Sequence, residues 1–284
     1  MSVIKVNNIT NRDGTSGPVI AGIATVSSTS HLVVPTGNTG QRVGLAPDPY
    51  EDYLVLALPF NSESVFDDIS PTNRGTLKVK GGFASQSSSL PFGQSGVTTT
   101  SSGIVTFSKY YGTSCYFDGT GDAFVITNPI EFGANEALTV EVWVNKTAVD
   151  ASGYTNVFSS TSQNTQLIFD GGAPGTIAFV FQAAARVDNA GTAVTIGSWN
   201  HLVWTRDLEG NCATFVNGIL KGKSTVPQPL AFNINVIGEY SNGGGYEMNG
   251  YMQDVRIYKG VAKYNFVGIA TETQVFTPPN QIAI

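Results

Sequence analysis

From residue 104 to residue 258 the sequence repeats one unit: a short run of β-branched and aromatic residues, then a turn built from Gly, Asn or Asp. Such runs fall at 103–107, 114–117, 123–126, 139–144, 157–159, 166–169, 176–181, 199–206, 211–216, 235–238 and 250–258. Roughly a dozen of them, with no apolar repeat at helical spacing, leave few architectures open. A chain of this kind closes as an antiparallel sandwich or barrel, so the fold class is all-β.

Two hairpins are legible in detail. Residues 199–206 (WNHLVWTR) and 211–216 (NCATFV) are joined by residues 207–210, and Asn217-Gly218 then predicts a second tight hairpin. Alternation places Trp199, His201 and Val203 on one strand face and Asn200, Leu202 and Trp204 on the other. In the last run Val255 and Ile257 point one way and Asp254, Arg256 and Tyr258 the other; with the Val/Ile face as core, Asp254 and Arg256 are expected as solvent or rim groups.

Residues 1–46 differ from the rest. Val3, Ile4, Val6 and Ile9 form a short apolar stretch, followed by a turn-rich segment and two more strand-like runs at 19–26 and 31–35. A few short strands cannot enclose a core of their own. This extended, β-rich arm therefore needs cover from the rest of the chain, from a partner protein or from copies of itself. A second domain is expected over residues 51–284, beginning with an apolar run at 51–60 and passing through a Ser/Thr/Gly-rich stretch at 61–103.

Charged residues make up 13% of the chain and its formal net charge is −6, with no block of Lys and Arg. A nucleic-acid partner is therefore not expected. The longest apolar run, residues 54–58, is far short of a membrane span, and the N-terminus lacks a charged-then-apolar signal pattern. Cys115 and Cys212 form no CxxC pair; two buried free thiols are the simpler expectation, and a cross-sheet disulfide stays open.

Several motifs resemble the laminin-G-like, concanavalin A-like jelly-roll family in order and rough spacing. They are Tyr116-Phe117-Asp118-Gly119, residues 138–144 (LTVEVWV), 199–206 (WNHLVWTR), 215–218 (FVNG) and 250–258 (GYMQDVRIY). The resemblance implies an antiparallel concanavalin-like jelly-roll sandwich over about residues 51–280, and by itself says little about function. Separately, Ile4-Lys5-Val6-Asn7-Asn8-Ile9-Thr10 and Asp13-Gly14-Thr15-Ser16-Gly17 resemble the opening of structural proteins of tailed phages that infect marine cyanobacteria. That resemblance implies an arm that anchors a distal domain to a particle.

Candidate chemistry is sparse. Glycoside hydrolysis needs two carboxylates flanking a bond, yet Glu141 and Asp254 each stand without a second acid on their strands, and Glu136 is five residues from Glu141. No enzymatic activity is expected. His31 and His201, the two histidines, have no neighbouring nucleophile or zinc pattern. Domains similar to this one commonly hold calcium; Asp118, Asp122 and Asp170 lie in Gly-rich turns as candidate ligands, or serve the turns through their own hydrogen bonds. Residues 239–249 combine aromatics, amides, a carboxylate and three glycines, so Tyr240, Asn242, Tyr246 and Glu247 are the candidate glycan ligands. The alternative is a flexible loop whose tyrosines cover an edge.

The expectation from sequence is a virion structural protein of capsid-decoration or tail-fibre type, docked by its arm and displaying a lectin-like sandwich. Its partners would be other virion proteins, copies of itself (as a trimer, if like phage fibres) and a bacterial surface glycan. It would be made in the host cytoplasm and end on the particle surface. The alternative is a carbohydrate-binding module for host attachment.

Overall fold

The computed structural model describes residues 48–60, 68–72, 78–80, 114–148, 154–160, 166–169, 176–181, 185–188, 194–224, 227–240 and 246–279. The chain divides into Met1–Gly44 and Leu45–Ile284, and all described residues belong to the second unit. The arm residues Val3, Ile4, Val6 and Ile9, the run at 103–107, Asp170 and Asn242 lie outside the described residues.

The described unit is the expected antiparallel sandwich of two seven-stranded sheets. The strands are β1 (Leu54–Leu58), β2 (Lys78–Lys80), β3 (Cys115–Asp118), β4 (Ala123–Phe132), β5 (Leu138–Lys146), β6 (Thr155–Ser159) and β7 (Gln166–Phe169). They continue as β8 (Ile177–Phe181), β9 (Ala185–Asp188), β10 (Trp199–Arg206), β11 (Cys212–Val216), β12 (Ile219–Lys223), β13 (Phe232–Ile237) and β14 (Asn249–Lys259). The first sheet runs β1-β14-β5-β10-β11-β12, with β3 also paired to β14. The second runs β2-β4-β13-β6-β7-β8-β9. Among the described residues the one helical element is a single 3-10 turn, Glu51–Tyr53, which takes the first part of the run expected to be strand.

Alternation explains the core. Val140, Val142 and Val144 of β5 and Leu202 and Trp204 of β10 point between the sheets, where they meet Phe124, Phe132, Phe158, Phe179 and Ile234 from the opposite layer. The Trp204 indole donates to the Ala178 carbonyl at 2.8 Å, so the largest core ring is also hydrogen-bonded. Cys115 and Cys212 are free and buried, and burial pushes the Cys212 thiol up to about 12. The β11–β12 hairpin turns at Asn217 and Gly218, whose φ values of 52° and 80° are those that a two-residue turn of this hand requires.

Two strands break register, each for a local reason. In β4 the pairing with β13 skips between Val125 and Ile130, and Pro129, which has no N–H to offer, sits within that break. In β14 one extra residue intervenes between Gln253 and Arg256 opposite β5. That residue is Asp254, with φ of 53°. The bulge lets Met252, Val255 and Ile257 all reach the core.

Candidate functional site

The outer face of the first sheet holds a cluster of charges where a solvent rim was expected. Asp254 and Arg256 are each only 3% exposed, which corrects the reading of them as rim groups. The cause is the chain beyond β14. Residues 260–276 cross this face as a strap: Lys263 N–H donates to the Thr139 hydroxyl at 3.0 Å, and Leu220 N–H to the Thr273 carbonyl at 2.9 Å. At its far end Gln274 bridges Ile219 on the edge strand β12. Under the strap the Tyr264 and Phe276 rings stack at 3.6 Å and pack with Val203, Phe215 and Phe266 as a second apolar cluster.

Glu141 is the hub of the charged cluster and is 1% exposed. Its carboxylate accepts from Lys263 Nζ at 2.8 Å and from the Tyr264 hydroxyl at 2.7 Å, with Arg256 Nη1 at 3.9 Å. Burial alone would raise its pKa, but the surrounding cations overcome that and hold it at about 2. Burial drives His201 down to about 4 against the pull of Glu141, so at neutral pH this imidazole is uncharged and the cations facing Glu141 are Lys263 and Arg256. Arg256 forms a two-pronged contact with Asp254, the Tyr258 hydroxyl donates to Asp48, and Lys263 Nζ lies 3.5 Å from Asp48. Glu141 and Asp254, each read from sequence as solitary, thus share Arg256. Both are buried beside cations and away from solvent; the cations hold the Glu141 carboxyl down, whereas at Asp254 burial outweighs the Arg256 contact and pushes the carboxyl up. Sequence reasoning missed Asp48, Lys263 and Tyr264 as partners because they lie far along the chain in segments without strand periodicity.

Asp118 and Asp122 serve their own turn. Asp122 Oδ2 accepts the Asp118 N–H at 3.0 Å, and Asp118 Oδ1 accepts the Thr120 N–H at 2.7 Å. Burial raises the Asp122 carboxyl to about 6. No group of three or more His, Cys, Asp or Glu side chains among the described residues is placed to hold a metal ion.

The loop expected to hold a glycan is pinned at its base. Met248 N–H donates to the Gly238 carbonyl at 2.7 Å, the Ser159 hydroxyl to the Glu239 carbonyl at 2.7 Å and Asn156 N–H to the Tyr246 carbonyl at 3.0 Å. The structure brings Tyr240 and Tyr246 together, with ring centroids 5.7 Å apart, and adds Tyr154 at 5.4 Å from Tyr246. All three tyrosines and Glu247 are half-buried. Tyr154 and Asn156 are two residues apart at the start of β6 and so share a face. The Asn156 side chain is fully buried, and among the described residues neither its Nδ2 nor its Oδ1 has a hydrogen-bond partner. A buried amide with no protein partner calls for an explanation. Tyr154 and Asn156 escaped sequence reasoning because nothing local links residues 154–156 to a loop some 90 positions later.

Residues 117–263 match the family described as the concanavalin A-like lectin/glucanases superfamily (Laminin_G_3). Among solved structures, the fold is similar to domain 4 of AbnA, an extracellular GH43 arabinanase from Geobacillus stearothermophilus, in complex with arabinotriose. The identity is 16% over 73% of this chain and 92% of that one, with a TM-score of 0.50. It is also similar to the binding domain of Paraclostridial Mosquitocidal Protein 1, at 12% identity and a TM-score of 0.54, over 75% of this chain and 50% of that one. Among curated protein sequences none matches. At these identities the structural likenesses speak to fold, and the family match extends over more than half of the sequence: the chain belongs to the concanavalin A-like lectin/glucanases superfamily.

Proposed function

We propose that this protein is a non-enzymatic virion component whose sandwich displays a carbohydrate-binding surface and whose residues 1–46 dock it to the particle. The observation that carries the binding half is the cluster of Tyr154, Tyr240 and Tyr246 beside the unpartnered amide of Asn156. Aromatic faces stack on the apolar face of a sugar ring, and an amide offers a donor and an acceptor to its hydroxyls. Glu247 of the same loop adds a half-buried carboxylate-bearing residue to that set. Support by likeness comes from domain 4 of AbnA, which holds arabinotriose, and from a toxin's binding domain.

The docking half rests on the sequence of residues 1–46, which resembles phage structural proteins and cannot bury its own apolar stretch. Pairing its strands with a virion partner or with copies of itself would supply main-chain hydrogen bonds and about 25 cal/mol for each Å2 of apolar surface removed from water. The non-enzymatic reading draws on Glu141 and Asp254, which are buried among cations.

The test of binding is a printed array of bacterial surface polysaccharides together with arabinotriose, probed with the full chain and with Tyr246→Ala. Retained binding in a folded variant counts against the loop, and no binding by the parent chain counts against the function. Docking is tested by deleting residues 1–46: the remaining sandwich should fold but no longer join particles, and continued incorporation would sink that half.

A further inference from the structure

The Lys263 ammonium stands between two carboxylates. Its Nζ lies 2.8 Å from Glu141 Oε1 and 3.5 Å from Asp48 Oδ2. The third carboxylate of the cluster, Asp254, is taken up by its two-pronged contact with Arg256. Water is largely kept out, since the Lys263, Asp48 and Glu141 side chains are 7%, 9% and 1% exposed. The ring centroids of Tyr258, Tyr264 and Tyr50 surround Nζ at 4.0, 5.6 and 5.7 Å. Other lysine–carboxylate pairs among the described residues are open to solvent: Glu272, beside Lys221, is 64% exposed, and both Lys259 and Glu136 are only half-buried.

The Asp48 carboxyl is held in a way that suits attack at its carbon. Oδ1 accepts the Tyr50 N–H at 2.9 Å, while Oδ2 accepts the Tyr258 hydroxyl and faces Arg256 Nη1 at 4.0 Å. Donors on both oxygens draw electrons from the carbon and stabilise charge that builds on oxygen. Burial keeps the Tyr258 phenol protonated and so able to donate. Asp48 is also the more exposed of the two carboxylates, which gives a departing water a way out.

We propose that Lys263 and Asp48 condense to an intramolecular isopeptide bond, with Glu141 as the proton relay. Nζ gives one proton to Glu141, and its electron pair attacks Asp48 Cγ. Oδ1 carries the developing charge against the Tyr50 N–H. Oδ2 then leaves as water, taking the proton held by Glu141 and a second one from the nitrogen. One ammonium and one carboxylate thus become one amide and one water, with no other reactant and no change in net charge. Burial would raise Glu141, but the cations outweigh it and hold it at about 2; a base that weak passes the proton on and does not keep it. Fixed contact and exclusion of water are what such a condensation lacks in solution. The Lys263 ion pair is the state before this step; after it Glu141 keeps Arg256, the Tyr264 hydroxyl and the new amide N–H around it. The bond ties the segment ahead of β1 to the strap beyond β14, and it depends on neither glycan binding nor particle docking.

Intact-mass spectrometry of the full chain, purified and held at pH 7, tests this without any variant. The expected mass is one water below that of the sequence, and a protease digest should contain one branched peptide joining Asp48 to Lys263. Lys263→Arg and Asp48→Ala should each keep the full mass. Glu141→Gln, checked for folding by circular dichroism, should form the bond at least about tenfold more slowly. A folded parent chain at full mass overturns the inference. So does a loss of water that persists in Lys263→Arg, which marks cyclisation at an Asp-Gly sequence, or a branch found at Glu141 in place of Asp48. An unchanged rate in folded Glu141→Gln overturns the relay.

Discussion

Glu141 and Lys263 meet at 2.8 Å although 122 positions separate them, and both are buried. The contact joins the centre of the first sheet to the strap that crosses it. An ion pair taken out of water costs much of what its attraction returns, so its removal in halves is the informative experiment.

Lys263→Met should destabilise the protein by about 3–5 kcal/mol, because Glu141 is left buried without its nearest cation. Glu141→Gln in the same chain should restore a large part of that loss, since a neutral amide no longer requires Lys263. Urea unfolding of both single variants and the double variant at pH 7 measures the coupling. Strictly additive losses would show that the strap is held by its aromatic cluster alone.

His201 gives the fold an acid sensitivity with a defined window. Unfolded, it takes up a proton near its ordinary 6.5; folded, only near 4. Between these values the unfolded chain binds more protons, so stability is full above about pH 6.5 and falls as the pH drops towards 4. The loss amounts to roughly 3 kcal/mol. Glu141, depressed from 4.5 to about 2, works in the window below. His201→Gln should flatten the stability curve between pH 6.5 and 4 and, because the protonated imidazole helps to hold Glu141 down, should also weaken the limb below. A parent and variant with parallel curves across the upper window would refute this assignment.

Arg206 ties loops together at one end of the sandwich through backbone carbonyls. Its guanidinium donates to the carbonyls of Gly133 at 2.6 Å, Glu136 at 2.9 Å and Leu230 at 2.6 Å, and it lies 5.1 Å from the Phe232 ring centroid. An ammonium cannot present that planar fork. Arg206→Lys should therefore cost about 1 kcal/mol in chemical denaturation by leaving partly buried carbonyls without their donors. A change within experimental error would mean that the loops hold themselves.

What the sequence disclosed was what depends on near neighbours. Alternation in 199–206 separated Leu202 and Trp204 from Val203 on opposite strand faces, and the structure adds that Leu202 and Trp204 are the pair between the sheets. Asn217-Gly218 announced its hairpin because two adjacent positions supply the whole turn. The short strand β9 was overlooked, since Ala185–Asp188 has little apolar character. Asp254 and Arg256 were misplaced for a different reason: the strap that buries them has no periodicity to reveal its path, and the bulge at Asp254 depends on partner strands. The meeting of Tyr240 and Tyr246 was legible as composition, both tyrosines falling in one Gly-rich loop. Tyr154 and Asn156 join them only once distant strands are in register.

The position of β14 has a consequence for how the molecule is made. It is the last strand of the described residues, yet it lies inside the first sheet, with β1 and β3 along one side and β5 along the other. The Tyr258 hydroxyl closes a span of 210 positions back to Asp48. A nascent chain that has not yet delivered residues 249–259 holds β1 and β3 without their partner and β5 with one side bare. Closure of this sheet is thus a late and non-local event, of the kind that slows folding. Until it happens, the emerging polypeptide presents exposed backbone edges to whatever else surrounds the ribosome.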